Sequence, residues 1–509
     1  MAATRARKLW FPTALPGYGW PMTGGKPMAL AALLLASCTA PQDASRLTTT
    51  VIGTPWSGGL AARLEAEATQ PTLIAHDGSG AVVPGLASSW RFVDDDRALI
   101  LRLRPMKWSD GTTLTAGEVV AAFGRAAKRR EPALDHAGVI GATPPGKLGV
   151  LAPISRVVEI RLTTPSPLLL GWLADPSLAV TRAGPAPTLA DYRAAGPATR
   201  RTLTRRDGVA SDAARPATIV IASDPDPVAA IASFSRGTTD IVIGDGLAGL
   251  GEARTVARPQ TLQVDALWGV YGYVANGLKG PLSDPRLRLA LDLATDRQAL
   301  AARVGLAAMA PVDGLLPASL RATPAAPPVL DMAGRRLLAR QLLMADPLLG
   351  VGTRPPLRLT LLLPPGHDHR VIAEQVAADW QALGITLVIS QADAATIADK
   401  VRRGQFDLAL TEASLAVPDA AALLARWRCG AGPSCNEAAD ALFAAARAAP
   451  PADRPALLAA AEAKWMEGPP MIPLLTPLRW ALVSPRVDGW SANHAGSHPL
   501  ARLAVSARR

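Results

Sequence analysis

Cysteine, tyrosine and phenylalanine are scarce in this chain: three, four and six residues among 509, against twelve tryptophans. The formal charge is +11, but Arg5, Arg7, Lys8 and Lys26 precede Cys38 with no acid among them, leaving +7 for the remainder. That surplus is dispersed among acids and forms no basic stripe interleaved with aromatics, which argues against nucleic acid as a partner. The short basic stretches RKLW, AAKRRE and RRTLTRR read as solvated faces or loops. There is no GxSxG, HExxH, GxxxxGK or CxxC, so the common hydrolase, metalloprotease, nucleotide-binding and dithiol signatures are all missing and neither an enzyme nor a cofactor is expected. Beyond the N-terminal region no apolar run is long enough for a transmembrane helix. Charged residues make up only 19% and hydrophobic ones 49%, which excludes a disordered chain. The length suits two or three domains with substantial cores.

What is present begins with an export signal. KPMALAALLLASC (26–38) has a basic flank, a short apolar stretch and small residues before Cys38, the pattern of a leader and too short for a spanning helix. LASC (35–38) resembles the bacterial lipoprotein box, in which Cys38 is acylated; ordinary cleavage after Ala40 is the alternative. Residues 1–37 are thus expected to be a signal peptide and 38–50 a polar tether. Export places Cys429 and Cys435, six apart in RCGAGPSC, where a small disulfide loop is favoured. Zinc competes, but two thiols without a nearby His are half a site.

Residues 104–123, RPMKWSDGTTLTAGEVVAAF, pose the question of catalytic wall or architecture. Leu99, Leu101 and Leu103 alternate with Arg102 and Arg104 as in a half-buried strand. Ser109, Asp110 and Gly111 are turn residues. TAGE (115–118) is a capping box before Val119, Val120, Phe123, Ala126 and Ala127 at helical spacing. Strand, turn and capped helix account for Asp110 and Glu118 without catalysis. Further strands are predicted at 156–162, 217–222 and 239–243, with 183–216 as loop. Asp284 caps a helix with Pro285 in its first turn. From 357 the pattern alternates: strand 357–363, helix 371–383, strand 385–390, helix 395–403, strand 406–411. That alternation predicts a parallel sheet with ligands at the strands' carboxyl ends. His367 and His369, after PPG, sit in a predicted exposed loop, and His494 and His498 lie near the end; no metal site is expected from either pair.

The order of motifs resembles the extracytoplasmic solute-binding proteins of ABC importers, family 5, the oligopeptide, dipeptide and nickel class. The resemblance covers about 50–505. It rests on VPGLASSW (83–90), LRPMKWSDGTTLTAGEV (103–119), RGTTDI (236–241), Asn276 followed by DPRLRLALDLATDR (284–297), GQFD (404–407) and Pro473-Leu474. It implies an α/β, two-lobed periplasmic binding fold, class II-like, with an extra small subdomain and a hinge. By this resemblance 51–66, 176–265 and 478–509 form the first lobe, 67–175 the small subdomain and 266–477 the second lobe.

The function implied is capture of a peptide-like or other small solute in the interlobe cleft. Delivery is to a membrane permease and its ATPase, by a monomer held at the inner membrane by a lipid. The alternative is a degenerate relative acting as an envelope interaction or sensor protein. In peptide binders of the family an acid about ten residues after the Phe of F-D anchors the peptide amine; here that position is Ala416, with Asp419 and Glu412 as substitutes. Trp268, Tyr271, Tyr273 and Asn276, where the second lobe begins, and Trp427, Arg428 and Asp419 near the cysteines are the candidate ligand contacts.

Overall fold

In Arg46–Ile52 (RLTTTVI) β-branched residues dominate, and all but the first are buried or nearly so, the composition of a strand covered on both faces. It lies parallel to Thr218–Asp224 on one side and to Ile241–Asp245 on the other. The computed structural model describes residues 45–53, 59–143, 146–182, 187–207, 215–322, 330–344 and 357–507. The expected leader, Cys38 and most of the tether lie outside them.

The three parallel strands form the centre of a seven-stranded sheet. Leu478–Val483 and Leu262–Ala266 extend one side antiparallel, and Arg200–Arg205 and Tyr192–Ala195 the other. A second sheet of five strands runs Ile385–Gln391, Leu357–Leu363, Leu408–Leu415, Trp268–Ala275, Met471–Leu475. Its first three strands are parallel, joined by helices His367–Gln381 and Ala394–Arg402, while Trp268–Ala275 runs antiparallel to both neighbours. The predicted parallel sheet is therefore mixed: the one strand that arrives by crossing from the other lobe, Trp268–Ala275, enters in the opposite direction.

Two chain crossings join the sheets. Leu262–Ala266 continues through Leu267 into Trp268–Ala275, and Met471–Leu475 continues through Thr476 and Pro477 into Leu478–Val483. The crossings are tied to each other, Leu267 N–H donating to Pro477 O at 2.9 Å. One core runs beneath both, from Ile52, Val242 and Leu250 through Trp480 to Tyr271, Leu361 and Trp380. Gly244 makes the packing possible, because a Cβ there would meet the Trp480 ring at 2.2 Å.

A third sheet, Ala87–Val93, Ala98–Leu103, Val157–Arg161 and Val150–Ile154, is antiparallel throughout. Helix Ala116–Arg129 covers it through Val119, Phe123 and Ala126. The capping box forms as expected: the Glu118 carboxylate accepts from the Thr115 backbone N–H at 2.8 Å. It also accepts from Trp108 Nε1 at 3.3 Å and from Arg182, which reaches Asp110 as well and lies 4.3 Å over the Trp108 ring. The WSDG turn is one polar knot that fixes the helix start, and both its acids are spent on it.

Two local expectations are corrected. Residues 183–216 include the hairpin Tyr192–Ala195 and Arg200–Arg205, whose first strand is the edge of the sheet; only Leu203 of the second strand is buried, and a strand with a single inward apolar residue shows little hydrophobic alternation. His367 and His369 are not in a loop but open helix His367–Gln381. His367 is exposed and His369 buried, so the two point apart. Among the described residues no cluster of three His, Cys, Asp or Glu is arranged to hold a metal.

The candidate interlobe binding site

The parallel strands of the first lobe end at Ile52, Asp224 and Asp245, so their backbone termini open on the same side of the sheet. Ligand crevices in α/β sheets form at such carboxyl ends. A cavity of about 660 Å³ lies there, lined by Gly53, Arg63, Glu65, Arg201, Ser223, Asp245 and Arg479, with Ala394 contributed by the second sheet's side. That size suits a small organic solute.

The charges in the cavity are largely paired. Arg201 grips Glu65 with two hydrogen bonds of 2.8 and 2.7 Å, and Arg63 meets Glu67 at 3.2 Å. Arg479 donates from Nε and Nη2 to Asp245 Oδ1 at 3.1 Å and from Nη1 to Gly496 O. One acid behind the cavity, outside its lining, is different. Glu412, on Leu408–Leu415, reaches across to the first lobe until a Cβ on Gly246 would fall 2.6 Å from its Oε1. Gly246 also has φ +68°, a conformation side chains resist. Burial, reinforced by the Asp245 charge and opposed by Arg479, pushes the Glu412 carboxyl up to about 8.

The candidate contacts named from sequence fall in several places. Trp268 is partly exposed, its ring 5.8 Å from that of His494. Tyr271 is buried and shares a 3.0 Å hydrogen bond with His369 Nδ1. Burial pushes the Tyr271 hydroxyl well above its ordinary value and His369 down to about 4. Tyr273 is wholly buried in the joint core. Asn276 donates to Gly404 O and Phe406 O, fastening the strand end to the GQFD turn. Trp427 is buried in the second lobe's core, while Arg428 is exposed with its guanidinium 5.8 Å from the Phe443 ring. Cys429 and Cys435 form a disulfide. His498, buried, pairs with Asp265 at 2.7 Å and stacks on Trp490.

Asp419 is committed elsewhere. One oxygen caps helix Ala420–Leu424 at Ala422 N–H, and the other accepts from Trp172 Nε1 at 3.0 Å. Trp172 belongs to the third sheet's core and stacks on His136, so this bond joins that subdomain to the second lobe. Val417 and Ala422 of the second lobe are buried in the same core, and Arg447 adds a bidentate pair with Asp135. A groove of about 620 Å³ runs alongside. Trp172→Phe keeps an aromatic six-membered ring but loses the pyrrole portion and strands an oxygen of a buried carboxylate, and is expected to lower stability by at least about 1–2 kcal/mol in thermal or denaturant unfolding.

The family model described as bacterial extracellular solute-binding proteins, family 5 Middle, matches residues 81–434. The periplasmic murein peptide-binding protein MppA of Escherichia coli is 26% identical over 367 residues, covering 66% of this chain and 68% of that protein. The periplasmic oligopeptide-binding protein OppA of Salmonella typhimurium is 24% identical over 380 residues, 66% of this chain and 67% of that one. The solved structure of the E. coli murein tripeptide-binding protein MppA shares the fold with a TM-score of 0.79 at 22% identity, covering 92% of this chain and all of the other. The matched span takes in both the WSDG knot and the strand that carries Glu412, and on it this chain belongs to the bacterial extracellular solute-binding proteins, family 5.

Proposed function

We propose that the crevice at the carboxyl ends of the first lobe's strands captures a peptide-like small solute by closure of the two lobes. The chain is the substrate-binding component of an ABC importer, and it hands its solute to the membrane permease. The observation that carries the ligand reading is the 660 Å³ cavity with a charged lining drawn from the first lobe and closed at one point by Ala394 of the second. A peptide-like solute is supported by the murein peptide and oligopeptide named for the two relatives. The protein works outside the cytoplasm, as a monomer tethered through Cys38, and transforms nothing. A solute held between lobes links them, so binding resists unfolding as well as opening.

A thermal-shift screen with di- to hexapeptides, opines and metal chelates tests this. At a hundredfold excess over Kd a true solute stabilises the folded protein by about 2.7 kcal/mol, a clear upward move of the transition. If no solute class moves it while the purified protein carries a protein partner, the envelope-sensor alternative replaces import.

A further inference from the structure

Arginines gather at the amino ends of the first lobe's central strands, the end of the sheet remote from the crevice. Arg46 opens its strand level with Thr218. Arg205 lies across from Tyr192 at the foot of the hairpin, and its Nη1 donates to Arg215 O at 3.2 Å. Arg206 follows, with its backbone N–H on Asp191 O and its Nε on Ala190 O. Arg236 ends helix Pro227–Ser235 just before the strand Ile241–Asp245, and Arg258 turns into Leu262–Ala266, which runs the same way. Among the described residues, Asp191, Asp207 and Asp488 share this end with the six arginines. Two further acids are answered: Asp240 is buried against Arg486, and Asp77 has Arg502 near it. The crevice end is balanced by contrast, with Arg63, Arg200, Arg201 and Arg479 matched by Glu65, Asp224, Asp226 and Asp245. The basic face is assembled from separate segments, so no single run announces it in the sequence. The chain enters the fold beside it: Ser45 O accepts from the Ala217 and Thr218 N–H groups at 2.6 and 3.1 Å.

We infer that this face docks on an anionic membrane surface, its arginines resting on the phosphates of lipid headgroups. The inference rests on the reading that the exported chain is tethered through Cys38, and it adds a second contact to that tether. Seven residues lead from Cys38 to Ser45, and seven extended residues span at most about 25 Å. A tether of that length keeps the face near the headgroups. The attraction itself reaches only about 8 Å at physiological salt, so the face must settle on the bilayer to gain it. Guanidinium suits the partner, because its planar fork bonds two phosphate oxygens at once. The crevice, at the other end of the strands, then opens away from the bilayer to collect solute, and delivery requires the face to let go.

The test uses the exported chain from Thr39 onward, without lipid, on vesicles of phosphatidylcholine alone or mixed with phosphatidylglycerol. Binding is expected only to the anionic vesicles, and to weaken at least about tenfold as salt is raised from low to physiological strength. Arg46→Glu, Arg236→Glu and Arg258→Glu together change three exposed positions and are expected to lose at least about tenfold in vesicle affinity. Lys279→Glu, Arg303→Glu and Arg370→Glu, exposed in the second lobe, change the net charge equally and are expected to lose no more than about twofold, since their charges are screened from the surface. Unchanged melting transitions show that both variants fold, and the salt dependence of the wild type is a readout that needs neither. Equal binding to both kinds of vesicle, binding indifferent to salt, or equal loss in the two triple variants overturns the inference. The tether is judged separately, by fractionating cells that carry the full chain or Cys38→Ala. A full chain found in the soluble fraction removes the tether and leaves the vesicle result to judge the face, whereas indifference to vesicles removes the face and leaves the tether.

Discussion

Arg297→Met is expected to cost about 3–5 kcal/mol of stability, the range for stripping one partner from a buried ion pair. Arg297 and Asp292 are 4% and 6% exposed and are paired to each other. The guanidinium also donates to Val312 O at 2.9 Å, Pro473 O at 2.7 Å and Asp292 O at 3.1 Å. It thereby ties helices Pro285–Ala294 and Arg297–Val304 to the strand Met471–Leu475 that leads into one lobe crossing. Removal leaves a buried carboxylate without its cation and several carbonyls without donors. Burial already holds the Asp292 carboxyl above its usual range, with Arg297 as the main opposing influence, so the variant's remaining acid takes up a proton rather than stay charged. The double variant R297M/D292L removes both charges and is expected to recover much of the loss, since an apolar pair avoids the desolvation that the ion pair must offset. Chemical denaturation of the three proteins gives the comparison. A single variant as stable as the wild type would mean that the segment's polar contacts are replaceable by water.

The DLATDR stretch that carries this pair was legible in the sequence as a family resemblance, and its physical role was not. The same holds for WSDG. The capping box and turn were readable from residue types alone, because they are local, with Thr115 and Glu118 three residues apart. That Arg182 would join Trp108, Asp110 and Glu118 was not readable, because the contact spans 64 residues between Arg182 and Glu118. Strands buried on both faces announced themselves by β-branched runs. The 192–205 hairpin did not, since its strand Arg200–Arg205 turns only Leu203 inward. At the site the difficulty was one of partners. Asp419 and Glu412 were equally acidic on paper; only the fold gives Asp419 a cap and an indole to bond, and leaves Glu412 with neither. One signal for Glu412 did lie in the sequence: an acid in line with Leu408 and Leu410 on the apolar face of its strand.

That same acid gives the ligand-free protein a characteristic pH dependence. The Glu412 carboxyl is held up to about 8 in the folded chain, against 4.5 as its ordinary value. Between those limits the folded state binds more protons than the unfolded, so stability falls as pH rises through the window. Each tenfold difference in proton affinity is worth about 1.4 kcal/mol; screening of a partly exposed group reduces the full span to about 2–3 kcal/mol. Histidine acts in the opposite sense. His76, His136 and His369 are all lowered by burial, so the unfolded state binds their protons first, and their contribution grows with pH until it is complete near 6.5. The two trends oppose each other below that point. Above it the histidines are silent, and the slope from 6.5 to 8 carries the carboxyl's signature. Other raised acids, Asp292 and Asp379 among them, are common to wild type and E412Q and cancel in the difference between the two curves. E412Q is therefore expected to match the wild type near pH 4, below the ordinary value of 4.5, and to exceed it in unfolding free energy by about 2–3 kcal/mol at about pH 8, without ligand. If the difference is flat across that range, Glu412 has solvent or a counter-charge that holds it ionised at neutral pH, and burial does not govern its proton affinity.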